Sequence, residues 1–402
     1  MTACPPTRRS RCSVAEREIS LGLIGGGLMG RELASAAARW VHLDDLGVRP
    51  RLVHVCDVNP ETLAWYGRLA DGPRLSSDWR AVLDDSKVEA LYIAVPHHLH
   101  AELYVAALDA GKHLLGEKPF GIDLAANETI MRAVAAHPEL LVRCSSEMPF
   151  FPGGQEVWRW IAAGGFGRPI EVRSLFLHSS DLDPDKPINW KRRAETNGAY
   201  GCLGDLGMHA LHLPLRAGWA PLDVRALLGD VFKERPDGRG GTVPCDTPDN
   251  AVLLCRSEHG GDGFALRIET KRIAPGHMNT WTIEVDGTEG SIAFTTKRPK
   301  TLRTMRYTPG GPQRWEETDL GSQSAYPSIT GAIFEFGFAD ALQQMWAAFL
   351  DELAHGRDGM RQPFHCVTPE EAAFTHDLFT AALRSDAERS VEPVEPRYAL
   401  GA

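Results

Sequence analysis

The chain of 402 residues is 43% hydrophobic and 24% charged, and its formal net charge is -10. That length and composition predict two domains with full cores, and a negative balance with no basic run interleaved with aromatics argues against a nucleic-acid partner. Eight cysteines stand singly with no C-x-x-C pair, which suits reduced thiols in a cytoplasmic protein, and no apolar run approaches the ~18 residues of a membrane span.

The opening contains Arg8-Arg9, the mark of a twin-arginine export signal. Ser13 to Glu18 is polar where such a signal needs an apolar region, so residues 1–17 read as a disordered leader. From Ile19 the pattern changes. Ile19, Leu21, Leu23 and Ile24 predict a buried strand, and Gly25, Gly27 and Gly30 follow at G-x-G-x-x-G spacing before a helical run from Leu28 to Trp40. In this strand–turn–helix context the spacing is a dinucleotide-binding fingerprint. Gly25 allows the tight turn, Gly27 lets backbone approach a pyrophosphate, and Gly30 lets the helix pack closely. The helix start at Leu28 and Met29 supplies unpaired N–H groups to the anion.

Leu52 to Cys56 reads as the second strand and ends on Asp57. A carboxylate there can take both ribose hydroxyls of adenosine and repels the 2′-phosphate of NADP, so NAD is the predicted cofactor. A polar connection over 41–50 accounts for a spacing longer than the usual ~20 residues. Asn59, before Pro60, is better placed than Asp57 to cap the next helix. Helices from Pro60 to Ala70 and near Asp78 to Asp84 lead to the apolar strand Ala90 to Val95, which stops at Pro96. His97, His98 and His100 follow at the ligand-binding edge of a parallel sheet, without acidic or thiol partners at metal-ligand spacing other than Glu102, and are read as non-metal residues. Gly111 ends the helix Ala101 to Ala110. His113 to Leu115 forms another strand and delivers Glu117 and Lys118 to the same edge, Asp123 caps a helix to His137, and Leu140 to Cys144 closes a domain assigned to residues 18–146.

Residues 147–402 are assigned to a second domain. Gly153 to Ala163 is helical, and Ile170 to His178, Val224 to Phe232, Ala251 to Arg256, Phe264 to Ile273, Thr280 to Val285 and Ser291 to Phe294 are β-rich segments separated by Gly, Pro or Asp turns. They predict a large, mainly antiparallel sheet, one face under helices and the other open to a partner subunit in a homodimer or homotetramer. A helix after Gly204 places Asp205, His209 and His212 on one face at i, i+4 and i+7, and no metal is assigned to them. Helices over Ala339 to Ala354 and Pro369 to Arg384 complete the core, followed by a strand and tail.

The glycine turn, Asp57, the run Pro96 to Glu102 and AGKHLLGEKP at Ala110 to Pro119 together resemble the Gfo/Idh/MocA family, named for glucose–fructose oxidoreductase, inositol dehydrogenase and a rhizopine-catabolism protein. The likeness continues through Trp190-Lys191, through Gly204-Asp205-Leu206-Gly207-Met208-His209, the family's D-x-G-x-H marker, and through Val285 to Ile292. It departs at Ala199-Tyr200, where the family has glycines, and at His212, where Asp is common. The resemblance implies a Rossmann domain followed by an α+β domain, cofactor contacts from Gly25 to Gly30, Asp57, Pro96, His97, His100, Glu117 and Lys118, and a cis Lys118–Pro119 peptide. It also implies a polyol or sugar substrate against Lys118, Trp190, Lys191, Asp205, His209 and His212.

Oxidising a secondary alcohol needs a hydride acceptor, a base for the hydroxyl proton and a charge to stabilise the developing alkoxide. His209 is the candidate base because an unperturbed imidazole titrates near neutrality, and Asp205 its orienting partner. Lys118 is the cation for the alkoxide, its pKa expected to fall on burial. The alternatives are an oxidation-driven glycosidase of the same family and a non-catalytic dinucleotide- or sugar-binding regulator.

Overall fold

Two kinds of residue pattern build two sheets: unbroken apolar runs give strands buried on both faces, and alternating runs give strands with one covered face. The computed structural model describes residues 16–401 apart from 45, 322, 323 and 332. Most of the anticipated leader therefore lies outside the described residues, and Arg17 already belongs to the first strand.

The first sheet has six parallel strands. β1 (Arg17–Ile24) is followed by α1 (Leu28–Ala38), β2 (Val48–Cys56), α2 (Pro60–Tyr66), β3 (Arg74–Ser76) and α3 (Arg80–Leu83). Then come β4 (Ala90–Ile93), α4 (His100–Asp109), β5 (His113–Gly116), α5 (Leu124–Ala136) and β6 (Val142–Cys144). The strand order β3-β2-β1-β4-β5-β6 is that of a Rossmann domain, with the switch point between β1 and β4. Ile19, Leu21, Leu23, Leu91, Tyr92, Ile93, Leu114 and Leu115 are fully buried, as unbroken apolar runs require. α2 stops at Tyr66 rather than Ala70 because Gly67 takes the C-cap position. The short, largely exposed β3 has no apolar run to announce it.

The second domain begins with α6 (Pro152–Ala162) and β7 (Pro169–Leu177), followed by α7 (Ala194–Asn197) and α8 (Cys202–Arg216). β8 (Asp223–Gly229), the small hairpin β9 (Glu234–Pro236) and β10 (Thr242–Pro244), β11 (Asn250–His259) and β12 (Asp262–Lys271) come next. β13 (Thr280–Gly287), β14 (Gly290–Thr295), β15 (Thr301–Arg306) and β16 (Glu316–Asp319) complete the strands before α9 (Phe338–His355), α10 (Pro369–Glu388) and β17 (Glu392–Pro393). Nine of these strands form one sheet in the order β16-β15-β14-β13-β7-β12-β11-β8-β17, antiparallel except where β7 runs alongside β12. β15 and β16 escape a pattern reading because they lie at one end of the sheet with little buried surface, β16 as the wholly exposed edge strand.

α8 is the centre of this domain. Every residue from Cys202 to Leu215 is buried, because the helix lies between the large sheet, α10 and the nucleotide domain. Pro214 sits inside it and cannot donate to the carbonyl of Ala210. Ser174 Oγ of β7 donates to that carbonyl instead at 2.6 Å, which satisfies the freed acceptor and ties helix to sheet. The six described cysteines are unpaired and buried, and among the described residues no helix is long and apolar enough to cross a membrane.

Candidate active site

The turn after β1 shows why its glycines are needed. Gly25 has φ +96°, and a Cβ on it would lie 2.3 Å from the carbonyl oxygen of Ala94 on the neighbouring strand. On Gly30 a Cβ would meet the Gly25 carbonyl oxygen at 2.4 Å, so this helix approaches its strand only with glycine there. The open side of the turn is free: a Cβ on Gly27 would touch nothing within 4 Å. Leu28 is 76% exposed, and no side chain caps the first turn of α1, so its N–H groups are available. Asp57 closes the other side. Its Oδ2 accepts from the Gly26 N–H at 2.7 Å and its Oδ1 from the Asn59 N–H at 2.8 Å, while Asn59 caps α2. An uncapped helix start beside an exposed glycine and a carboxylate held at the end of β2 fits the pyrophosphate and ribose of a dinucleotide.

At the far edge of the sheet the residues assigned to the cofactor part company. The Lys118–Pro119 peptide is cis. His100 is fully buried, its ring nitrogens at 2.7 Å from the Pro119 carbonyl and 3.0 Å from the Val95 carbonyl, so it braces the turn instead of facing a cleft. Glu117 is likewise buried and accepts from Tyr92 and Ser145 hydroxyls. Pro96 opens the short turn His97–Leu99, and His97 packs edge-on against Trp190 with ring centroids 4.7 Å apart.

Lys118 reaches across to α8, where its Nζ donates to the Asp205 carbonyl at 2.8 Å and to Oδ1 at 3.0 Å. Lys191 Nζ bonds both Asp205 carboxylate oxygens at 2.8 and 3.0 Å, and the Arg272 guanidinium pairs with Oδ2. One carboxylate thus holds three cations drawn from the ends of β5 and β12 and from the loop before α7. Arg272 also donates to Asp181 at 2.8 Å, and Lys186 pairs with the same carboxylate at 2.9 Å. His209, one helical turn after Asp205, points its Nδ1 at Ser146 Oγ, 3.3 Å away, with Glu147 Oε2 at 3.7 Å, and packs edge-on to Phe176. Among the described residues its Nε2 has no hydrogen-bond partner.

Burial alone would raise the Asp205 carboxyl, but Lys118, Lys191 and Arg272 outweigh it and hold that carboxyl well below its usual range. Burial would lower the Lys118 ammonium, yet Asp205 and Glu117 leave it raised, against the fall expected from the sequence. Lys191 is the lysine that shifts downward: burial lowers it, Asp205 opposes, and Arg272 and Lys118 repel it, to about 8. Burial, helped by Lys118, keeps His209 well below neutrality, so this imidazole is uncharged where an unperturbed one would be titrating.

Three segments, the end of β5, the turn before α7 and α8, therefore bring Lys118, Trp190, Lys191, Asp205 and His209 together, and leave His212 out. His212 lies under the cluster, stacked near Phe150 and Phe364 with ring centroids 6.4 and 5.1 Å away, because i+7 continues the helix away from the cleft toward the core. Sequence reasoning missed Arg272, Asp181, His178 and Glu147. Each ends or follows a strand, and only the pairing of those strands signals them. Among the described residues no group of three His, Cys, Asp or Glu side chains is arranged to hold a metal ion.

A Rossmann turn facing a polar cleft, with a second domain of open antiparallel sheet supplying half of that cleft, defines a class of two-domain nicotinamide-linked oxidoreductases. Residues 19–143 match a family model described as "Oxidoreductase family, NAD-binding Rossmann fold" and residues 155–293 one described as "GFO/IDH/MocA C-terminal domain". The chain belongs to the Gfo/Idh/MocA family, and the resemblance carried by its motifs is thereby established. It is 30% identical over 302 residues to a levoglucosan dehydrogenase of Pseudarthrobacter phenanthrenivorans, covering 71% of this chain and 76% of the relative. An inositol 2-dehydrogenase of Saccharopolyspora erythraea is also 30% identical, over 42% of this chain and 48% of its own. Among solved structures, a levoglucosan dehydrogenase in complex with NADH and levoglucosan superposes with a TM-score of 0.83 at 26% identity, covering 94% of this chain and all of the other. The first domain is an NAD-binding domain and the protein is an oxidoreductase of the kind that acts on CH–OH groups.

Proposed function

We propose that the protein is an NAD-dependent dehydrogenase of a secondary hydroxyl on a sugar, anhydrosugar or cyclitol. The observation that carries this reading is the contact between Lys118 of the nucleotide domain and Asp205 of α8, which puts a cation and the His209 imidazole on two sides of one cleft. Bound at the glycine turn, NAD would accept the hydride from the carbinol carbon. The Lys118 ammonium, kept charged by Asp205 and Glu117, stabilises the developing alkoxide electrostatically. Neutral His209 takes the hydroxyl proton at Nε2, and Asp205 fixes the cations rather than accepting a proton itself. Lys191 and Trp190 border the same space and would contact neighbouring hydroxyls.

Asp57 supports NAD over NADP, since a carboxylate at the end of β2 would repel a 2′-phosphate, and Val58-Asn59 offers no cation beside it. The outer face of the large sheet, where Leu227 and Leu254 are exposed, supports association of like subunits through that face. The test of the activity is nicotinamide absorbance during incubation with a panel of anhydrosugars, sugars and inositols, starting with levoglucosan because a levoglucosan dehydrogenase is matched over 302 residues. Cofactor reduction with at least one polyol is the expected outcome. Cleavage of a chromogenic glycoside without net reduction would replace the dehydrogenase reading with hydrolysis.

A further inference from the structure

We propose that Glu147 is the positioning residue of His209: by giving or taking the proton at Nδ1, it decides whether Nε2 presents a lone pair or an N–H to the substrate. This rests on the reading of His209 as the proton-transfer group. The geometry begins with the short segment after β6. Cys144 ends the strand, Ser145 turns inward to Glu117, and Ser146 and Glu147 then face α8. Ser146 Oγ and Glu147 Oε2 both lie on the Nδ1 side of the imidazole, at 3.3 and 3.7 Å, and Phe176 packs against the ring and fixes its plane. Glu147 and His209 are both buried, at 4% exposure each, so bulk water does not compete for the Nδ1 side of the ring. A contact of 3.7 Å is longer than a hydrogen bond, and catalytic hydrogen bonds in unliganded sites commonly tighten on substrate binding.

The charges facing the pair come from every neighbouring element. Lys118 at the end of β5 and Asp205 and His212 on α8, the last beside Arg216, act on one side, His178 at the end of β7 on another, and Glu117 and Tyr92 lie behind Glu147. Burial raises the Glu147 carboxyl and Glu117 adds to the rise, which Lys118 only partly opposes, so it titrates at about 7. Burial and Lys118 meanwhile disfavour a charged His209. Below neutrality Glu147 carries its proton and donates it to Nδ1, leaving Nε2 as an N–H suited to a carbonyl oxygen. Above neutrality the Glu147 carboxylate accepts from Nδ1–H, and the Nε2 lone pair is a base.

The proton balance in the oxidative direction follows. The substrate O–H bond breaks and its proton binds Nε2, the Nδ1 proton passes to Glu147, and the hydride leaves the carbinol carbon for the bound NAD. Before the next turnover the Glu147 proton passes back to Nδ1 and the Nε2 proton leaves to water entering the vacated substrate space, which restores the Nε2 lone pair and completes the stoichiometry of alcohol oxidation.

The test is the pH dependence of polyol oxidation by the full chain, wild type against Glu147→Gln, Glu147→Asp and His209→Ala, with NAD affinity measured for each. The wild-type rate should rise about tenfold per pH unit below an inflection near the Glu147 titration, the slope of a single proton. Glu147→Gln should bind NAD normally and lose that inflection, and Glu147→Asp should restore it at a shifted position. A second readout needs no cofactor: imidazole 15N shifts of His209 should pass from the Nε2–H to the Nδ1–H tautomer with rising pH in the wild type and stay in one tautomer in Glu147→Gln. An unchanged inflection and an unchanged tautomer shift in Glu147→Gln, with His209→Ala inactive, would overturn the role of Glu147 alone. Full turnover by His209→Ala would instead overturn the reading of the site on which it rests.

Discussion

The glycine turn at Gly25–Gly30 and the charge cluster around Asp205 sit in one molecule but are built in opposite ways. The first is local and made of backbone: a left-handed Gly25, a close-packed Gly30 and an uncapped helix start, with Asp57 supplying one carboxylate. The second is non-local and made of side chains, three cations from separate segments closing on one buried acid. A ligand site made of backbone survives most side-chain changes. A site made of buried charges has a single point of failure, because removing the shared partner leaves the others desolvated and unpaired.

The largest expected difference between the two regions is therefore in stability. Asp205→Ala strands Lys118 and Lys191 and leaves Arg272 with Asp181 as its remaining carboxylate, and should cost about 3–5 kcal/mol in denaturant unfolding, the magnitude for breaking a buried ion pair by losing one partner. Asp57→Ala should cost less in unfolding, since that half-buried carboxylate holds two backbone N–H groups and no buried cation, and should act chiefly on cofactor choice. A smaller effect is expected there: a loss of preference for NAD over NADP, read from the two affinities. Equal use of both cofactors by the unmodified protein would show that the turn does not discriminate through Asp57, and an Asp205→Ala protein as stable as wild type would show that the cluster is not the single point of failure.

The same contrast governs how much was legible in the amino-acid sequence. The Rossmann half is readable because its information lies in spacing: apolar runs, glycines at fixed offsets and an acid at a strand end. α8 was readable as a helix, and its D-x-G-x-H run through resemblance, yet the sequence placed His212 on the reactive face where the structure turns it into a cluster of phenylalanines. Periodicity fixes which residues share a helix face but not how far along that face the cleft extends. Arg272, Asp181 and Glu147 were not legible because each reaches the site through strand pairing that no local pattern encodes. The directions of the pKa shifts were hidden for the same reason. Lys118 rises instead of falling because Asp205 arrives from a distant part of the chain and adds to the neighbouring Glu117, and His209 falls because α8 is buried on every side.

The proposed dehydrogenation needs two domains to act on one hydroxyl, Lys118 from the first and His209 from the second. The most direct measurement compares turnover and NAD affinity of His209→Ala with the wild type, using whichever polyol gives cofactor reduction. Turnover should fall by about 10²–10⁴-fold, the range for losing a positioned acid–base group, while NAD affinity stays unchanged. Undiminished turnover in His209→Ala would contradict it.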